Sequence, residues 1–171
     1  MSEVGLEMNT KWTQLYNDHS LLVRGILFRM GAEAELDDLV QECFIKIWNG
    51  LKNFRGDANM KTWVTRITIN VAYDHFRRKG TKIQLEELDD SRLEAPVVDP
   101  NESALNKTLQ QAMQSLSLAH RDVLVLHVLE ENSVEEVAEI LKISLGTVKS
   151  RLFHARKNLK EILQKRGIQY E

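Results

Sequence analysis

The chain reads as all-α, built as two small helical domains joined by an acidic linker, and three observations predict this. Breakers are few, with eight Gly and only two Pro among 171 residues, so long helices can run uninterrupted. Apolar residues recur at helical spacing through most of the chain. Charge is segregated: the formal net charge is only −2, yet residues 61 to 82 carry six basic side chains against Asp74, and residues 83 to 105 carry seven acids against Arg92. That acidic stretch holds both prolines, Pro96 and Pro100, and no sustained periodicity, so it reads as the linker. The division expected is a first domain over 8–80, a linker over 81–103 and a second domain over 104–168.

The elements follow in order. Leu15, Leu22, Ile26 and Met30 support a first helix ending near Gly31. Leu36, Leu39, Val40, Cys43, Phe44, Ile47, Trp48 and Leu51 form an unbroken amphipathic stripe, which predicts a helix over 36–51. The run TWVTRITINV is rich in β-branched residues and would suit a strand on propensity, but the length of 62–79 favours a helix. A helix over 105–116 comes next, and Ser117 is placed to cap LAHRDVLVLHVL. Ser133 and Glu136 make a capping box ahead of VAEIL, and a tight turn over 142–146 leads into a long basic helix. Two helices joined in this way predict a helix-turn-helix.

That last helix, 147 to 166, carries seven basic residues against Glu161. At about 100° per residue, Val148, Leu152, Ala155, Leu159 and Ile162 share one stripe, which packs inward. Lys149, Ser150, Phe153, Lys157 and Lys160 lie opposite, with His154 beside them. A basic face by itself is ordinary solvated surface. An aromatic set within it is not, and on the second helix of a helix-turn-helix it points to DNA: the first turns enter the major groove, where Lys, Arg, Ser and His reach base edges and Phe meets a thymine methyl.

Other chemistries find little support. The single Cys43 excludes an internal disulfide and a cysteine-based zinc site, and the five His have no paired spacing, so no metal or cofactor is expected. No basic leader precedes an apolar run and no stretch approaches membrane-spanning length, so a cytoplasmic chain without a membrane span is expected.

The segment LSLAHRDVLVLHVLEENSVEEVAEILKISLGTVKSRLFHARKNLKEIL resembles region 4 of bacterial sigma factors, and DDLVQECFIKIWNGLKNFRGDANMKTWVTRITINVAYDHFRRKG resembles their region 2. Both lie in the family's order, with no further domain in the connector, which resembles the extracytoplasmic function (ECF) type. The resemblance implies a sigma factor, not an enzyme, that binds core RNA polymerase at the β′ clamp and β flap, directs it to promoter DNA, and answers to an anti-sigma factor.

Site residues follow by resemblance, one position at a time. At the −35 element it implies Thr147, Lys149, Ser150, Arg151, Phe153, His154 and Lys157. For reading and melting the −10 element it implies Arg55, Gly56, Asp57, Asn59, Lys61, Thr62, Trp63, Arg66, Asn70, Arg77 and Arg78. In this set Gly56 permits an unusual turn, Asn59, Lys61 and Thr62 offer hydrogen bonds, and Trp63 reads either as core or as a stacking platform. For core polymerase it implies Asp38, Gln41, Glu42, Ile45 and Asn49, on the face opposite the apolar stripe, where Ile45 is an apolar residue facing water. Two positions depart from the family: His154 stands where arginine is frequent, and Met60 where an aromatic is frequent.

Two other readings use the same residues. A plain helix-turn-helix regulator would use 133 to 160 but leaves the tryptophan-bearing basic helix over 62–79 and the Ile45 patch without purpose. A Mg²⁺ enzyme would need Asp37, Asp38 and Glu42 to converge, and no phosphate loop or nucleophile accompanies them.

Overall fold

In the computed structural model the described residues are 3–56, 58–80 and 104–167. The expected linker, and Asp57 of the expected −10 set, lie outside them. Among the described residues the regular structure is helical throughout. The N-terminal half holds α1 (Glu3–Arg29), α2 (Leu36–Leu51) and α3 (Met60–Arg78). The C-terminal half holds α4 (Ala104–Gln114), α5 (Leu118–Leu124), α6 (Val134–Leu141) and α7 (Leu145–Lys165).

In the first half each helix presents one apolar stripe to the other two. Val23, Ile26 and Leu27 of α1, with Met30 just after it, meet Cys43 and Ile47 of α2 and Val64, Val71 and Ala72 of α3, all essentially sealed from solvent. Burial pushes the Cys43 thiol up to about 12, which leaves it a small inert hydrophobe. The β-branched run does form a helix. Its buried hydroxyl at Thr68 donates to the carbonyl of Val64 one turn back at 2.9 Å, so burial leaves that donor satisfied. Propensity for a strand is overridden here by three-helix packing.

The helix expected as one unit after Ser117 divides. Ser117 caps α5 as expected, accepting from the backbone of His120. After Leu124 the chain widens into a π-helical turn, Val125–Leu129, in which the Glu130 amide bonds the Val125 carbonyl at 2.9 Å. Asn132, buried, closes the turn by donating from Nδ2 to the Leu126 carbonyl at 2.8 Å. Periodicity missed this because Val123 to Leu126 are buried on every side, and an all-apolar run carries no phase.

The two halves pack on one another and share a continuous apolar core that runs from α1 through α3 to α5, α6 and α7. Across the boundary α3 lies against α6, and α1 touches the π turn. Arg121, only 6% exposed, acts as the main polar joint. Its guanidinium donates to the carbonyls of Met113 (2.9 Å), Gln114 (2.6 Å) and Leu116 (3.0 Å) at the end of α4, and to the carbonyl of Met30 after α1. One cation thus satisfies the ends of two helices from different halves, where helix dipoles favour positive charge.

Candidate nucleic-acid interface

The basic helix is set by the motif before it. Ser133 accepts from the Glu136 amide (3.1 Å) while the Glu136 carboxylate accepts from the Ser133 amide (2.7 Å), a complete capping box. Lys142 closes α6 in the left-handed conformation at φ 55. Ser144 then caps α7, accepting from the Thr147 amide at 3.1 Å, so the helix starts at Leu145, inside the segment expected to be turn. Val148, Leu152 and Ala155 are buried against α5 and α6, as expected from their stripe.

What this leaves outward is the face anticipated. Lys149, Ser150, Phe153, His154 and Lys157 are exposed, and Phe153 shows 67% of its surface. Burying a phenylalanine stabilises by roughly 1.5–3 kcal/mol, and Phe153, standing among cations, forgoes that stabilisation. A shallow groove beside it is lined by His127, Val134 and Leu152, with Lys149, Arg156, Lys157 and Lys160 around it. Thr147 is half-buried and shares a 2.8 Å hydrogen bond with the Ser144 hydroxyl. Arg151 is turned differently from the rest of its set. It is half-buried, and its charge acts on Tyr73 and Asp122 at the joint between the halves.

The residues expected at the −10 element form a track rather than a pocket, since α3 has 19 residues and an α-helix of that size is about 28 Å long. At its start Gly56 has φ +77, a backbone that favours glycine, and Arg55 beside it is exposed. Asn59 is the N-cap, its Oδ1 accepting from the Lys61 amide at 3.0 Å. Thr62 does not join Lys61 on the outer face. At helical spacing it aligns with Thr65 and Ile69, and only 8% of it is exposed. Trp63 packs partly buried against the core with its ring 5.0 Å from that of Phe54, and a Cβ on Gly50 would come within 2.8 Å of it. Met60 is packed on the same core.

Further along, the cations of this track are already engaged. Arg66 Nη2 donates to the Glu139 carbonyl at 2.9 Å and lies 3.6 Å from its carboxylate. Arg77 pairs with Asp74 at 3.0 Å, and Arg78 with Glu42 at 3.1 Å. Asn70 is exposed.

On α2, Asp38, Gln41, Ile45 and Asn49 are exposed together, with Ile45 at 54%. Glu42 is set apart from them, half-buried between Lys46 and Arg78. Burial works to raise its pKa, but hydrogen bonds from Arg78 and Lys46 outweigh that and hold it below the usual carboxylate range. The carboxylates proposed for Mg²⁺ do not converge, because Asp37 instead bonds Arg24 at 2.7 Å. Among the described residues no group of three or more His, Cys, Asp or Glu could hold a metal, and no helix is long and apolar enough to cross a membrane.

Sequence reasoning missed the joint itself. Tyr73 donates to Asp122 Oδ2 at 2.6 Å, and Asp122 is 1% exposed. Burial pushes Asp122 up to about 7, against the pull of Tyr73, Arg151 and Arg121, and burial likewise raises Tyr73. The available signal was the charged pair Arg121–Asp122 inside an otherwise apolar run.

Comparison with known proteins gives matches over both halves. Residues 15–81 match the family model of Sigma-70 region 2, and residues 106–159 that of Sigma-70, region 4. The chain is 34% identical over 161 residues to the ECF RNA polymerase sigma factor SigE of Mycolicibacterium smegmatis, covering 90% of this chain and 62% of that relative. It therefore spans less than two thirds of that protein's length. It is 32% identical to the RNA polymerase sigma-H factor of Pseudomonas aeruginosa, covering 85% of this chain and 81% of the relative. The RNA polymerase sigma factor YlaC of Bacillus subtilis is 34% identical, with 88% and 91% covered. Among solved structures, the sigma factor RpoE in complex with the anti-sigma factor NepR from Bartonella quintana superposes with a TM-score of 0.74 at 26% identity, covering 90% of this chain and 97% of that one.

Proposed function

The chain belongs to the sigma-70 family of RNA polymerase sigma factors, in its ECF group, and from that premise we propose that it binds core RNA polymerase and directs it to promoters by reading a −35 and a −10 element. The observation that carries the reading is α7. A basic helix held by a complete capping box and turn leaves Phe153 exposed among Lys149, His154 and Lys157, which is what base-edge and phosphate contact in a major groove requires.

The division of labour follows from chemistry. Lys149, Ser150, Phe153 and His154 face bases, Phe153 meeting a thymine methyl, while Lys157 and Lys160 supply phosphate-directed charge that fixes register without reading sequence. On the N-terminal half, Arg55, Lys61, Arg66, Asn70, Arg77 and Arg78 track the displaced strand, offsetting part of the stacking lost on opening. The patch of Asp38, Gln41, Ile45 and Asn49 docks on the polymerase, its apolar centre rimmed by acid and amide groups. An anti-sigma factor, such as the one bound to the Bartonella quintana relative, would regulate it.

Run-off transcription by core polymerase on a random promoter library tests this. New transcripts appear when the protein is added. An unchanged transcript set, with DNA bound by the protein alone, would instead assign it to ordinary helix-turn-helix regulators.

A further inference from the structure

After Gly5 the chain holds seven glycines, and for six of them the fold itself supplies the reason. Gly31, Gly56, Gly80 and Gly167 have positive φ, where a side chain is strained. At Gly25 and Gly50 a Cβ would come within 3.1 Å of Arg29 and 2.8 Å of Trp63. Gly146 has neither reason. It lies in the first turn of α7, in ordinary helical backbone, and a Cβ there would stand 3.7 Å from the Ser144 hydroxyl, a normal van der Waals contact. Ser144 already caps the helix through the Thr147 amide, so capping does not call for glycine at 146 either. Alanine fits such a place and is the better helix former, because it leaves the unfolded chain less freedom to lose. The fold therefore forgoes stability at this exposed position, and whatever gains from the missing side chain lies outside the chain.

The place of Gly146 on α7 points to DNA. Gly146, Ser150, Phe153 and Lys157 follow at i, i+4, i+7 and i+11, within about 60° of one another around the helix and away from the buried Val148, Leu152 and Ala155. Along that line, about 16 Å long, the side chains lengthen from none, through a hydroxymethyl group, to a benzyl group and a full lysine chain. A surface that meets all four is inclined to the helix axis and comes nearest to the backbone of the first turn. Lys149, Arg156 and Lys160 flank the line, so the surface that fits it is anionic. We propose that Gly146 is a specificity-determining residue: the bare backbone of α7 seats there against the −35 duplex, and the missing side chain fixes how deep the helix enters the major groove. A methyl group at 146 lifts the first turn and draws Ser150 and Phe153 back from the base edges. The lysines, on long flexible stems, still find phosphate. The inference rests on the proposed role of α7 at the −35 element and adds to it a residue that acts through having no side chain.

Its test uses the full chain carrying Gly146→Ala or Gly146→Gln, two good helix formers of increasing size. Thermal unfolding reads the fold. Fluorescence anisotropy reads binding to a fluorescein-labelled duplex carrying the −35 element of a promoter from the run-off library, and to its scrambled counterpart. Tm should rise by about 2 °C in Gly146→Ala. Cognate affinity should fall by about ten-fold, the scale of one mismatched base pair, and further in Gly146→Gln, while scrambled affinity changes by less than about two-fold. A variant that is more stable yet less selective separates clearance for DNA from damage to the fold, which lowers Tm. Unchanged cognate affinity, equal losses on both duplexes, or a lower Tm for Gly146→Ala would each overturn the inference and leave the sigma-factor reading intact. A wild type that does not distinguish cognate from scrambled duplex would overturn the −35 role of α7 and the inference together.

Discussion

At the scale of single residues, the groups that decide most are those out of keeping with their surroundings. Phe153 is apolar in a charged face, and Asp122 is an acid in an apolar core. For Phe153 the expectation is selective: Phe153→Ala weakens binding to a cognate −35 site by about 1–3 kcal/mol and leaves nonspecific binding nearly unchanged. Lys157→Ala weakens both and lowers the salt slope by about one. Fluorescence anisotropy on cognate and scrambled duplexes over a salt series separates them, and equal losses for Phe153→Ala on both would refute the base-reading role. Asp122 makes a pH-dependent contribution. Its folded pKa, about 7, stands above its ordinary value of 3.8, so the fold favours the protonated form. The stability this lends is fully present below about pH 4 and is lost as pH rises through about 7. The groups facing it are Tyr73 from α3, Arg121 beside it, and Arg151 from α7. Asp122→Asn keeps an acceptor for Tyr73 and cannot ionise. Melting temperatures should therefore show the variant gaining on the wild type between about pH 4 and pH 7, and parallel curves over that range would contradict the assignment.

At the scale of elements, caps rather than propensities set where helices begin. Asn59, Ser117, Ser133 and Ser144 each accept from a backbone amide in the first turn of the helix that follows. Removing the best of them, Ser133→Ala, deletes half of a capping box and should cost about 1 kcal/mol, or about 3 °C in Tm. A calorimetric scan measures this, and no change would mean that tertiary packing alone places α6. Ser144 fell inside the expected turn and Asn59 was read only as a hydrogen-bonding residue, whereas the caps at Ser117 and Ser133 were legible in the sequence because they are local. So were the bounds of α2, whose stripe is interrupted by polar residues at every turn, and so were the outward positions of Ile45 and Phe153. The π turn and the turning of Arg151 were not, because both depend on what the other half presses against.

At the scale of the whole molecule, the sequence divides into two halves while the structure joins them through a shared core. The division was readable from charge, since an acidic stretch separates two apolar patterns. The joint was not: Tyr73 meets Asp122 across 49 positions of chain and Arg121 meets the Met30 carbonyl across 91, and no periodicity carries information over that distance. The two proposed macromolecular surfaces lie on separate faces, α7 for duplex DNA and α2 for polymerase. Ile45→Glu should therefore reduce binding to core polymerase by at least about ten-fold in a pull-down titration while the same full-length variant still binds duplex DNA. Loss of both activities together would mean that the substitution unfolds the chain or that the surfaces are not separate.

The wide turn at Val125–Leu129 has one more consequence. A π turn is a helical turn with one residue too many, so it works as a phase shifter between everything before it and everything after. Deleting Val128, an exposed residue within it, would let α5 run on as an ordinary helix and rotate the following chain by about 100°. α7 would stay intact by circular dichroism yet point elsewhere, and, on the proposed role of α7, promoter binding would fall without loss of helix content. One surplus residue thus sets the aim of a helix that begins some twenty positions later, as a keyway sets the angle of a shaft.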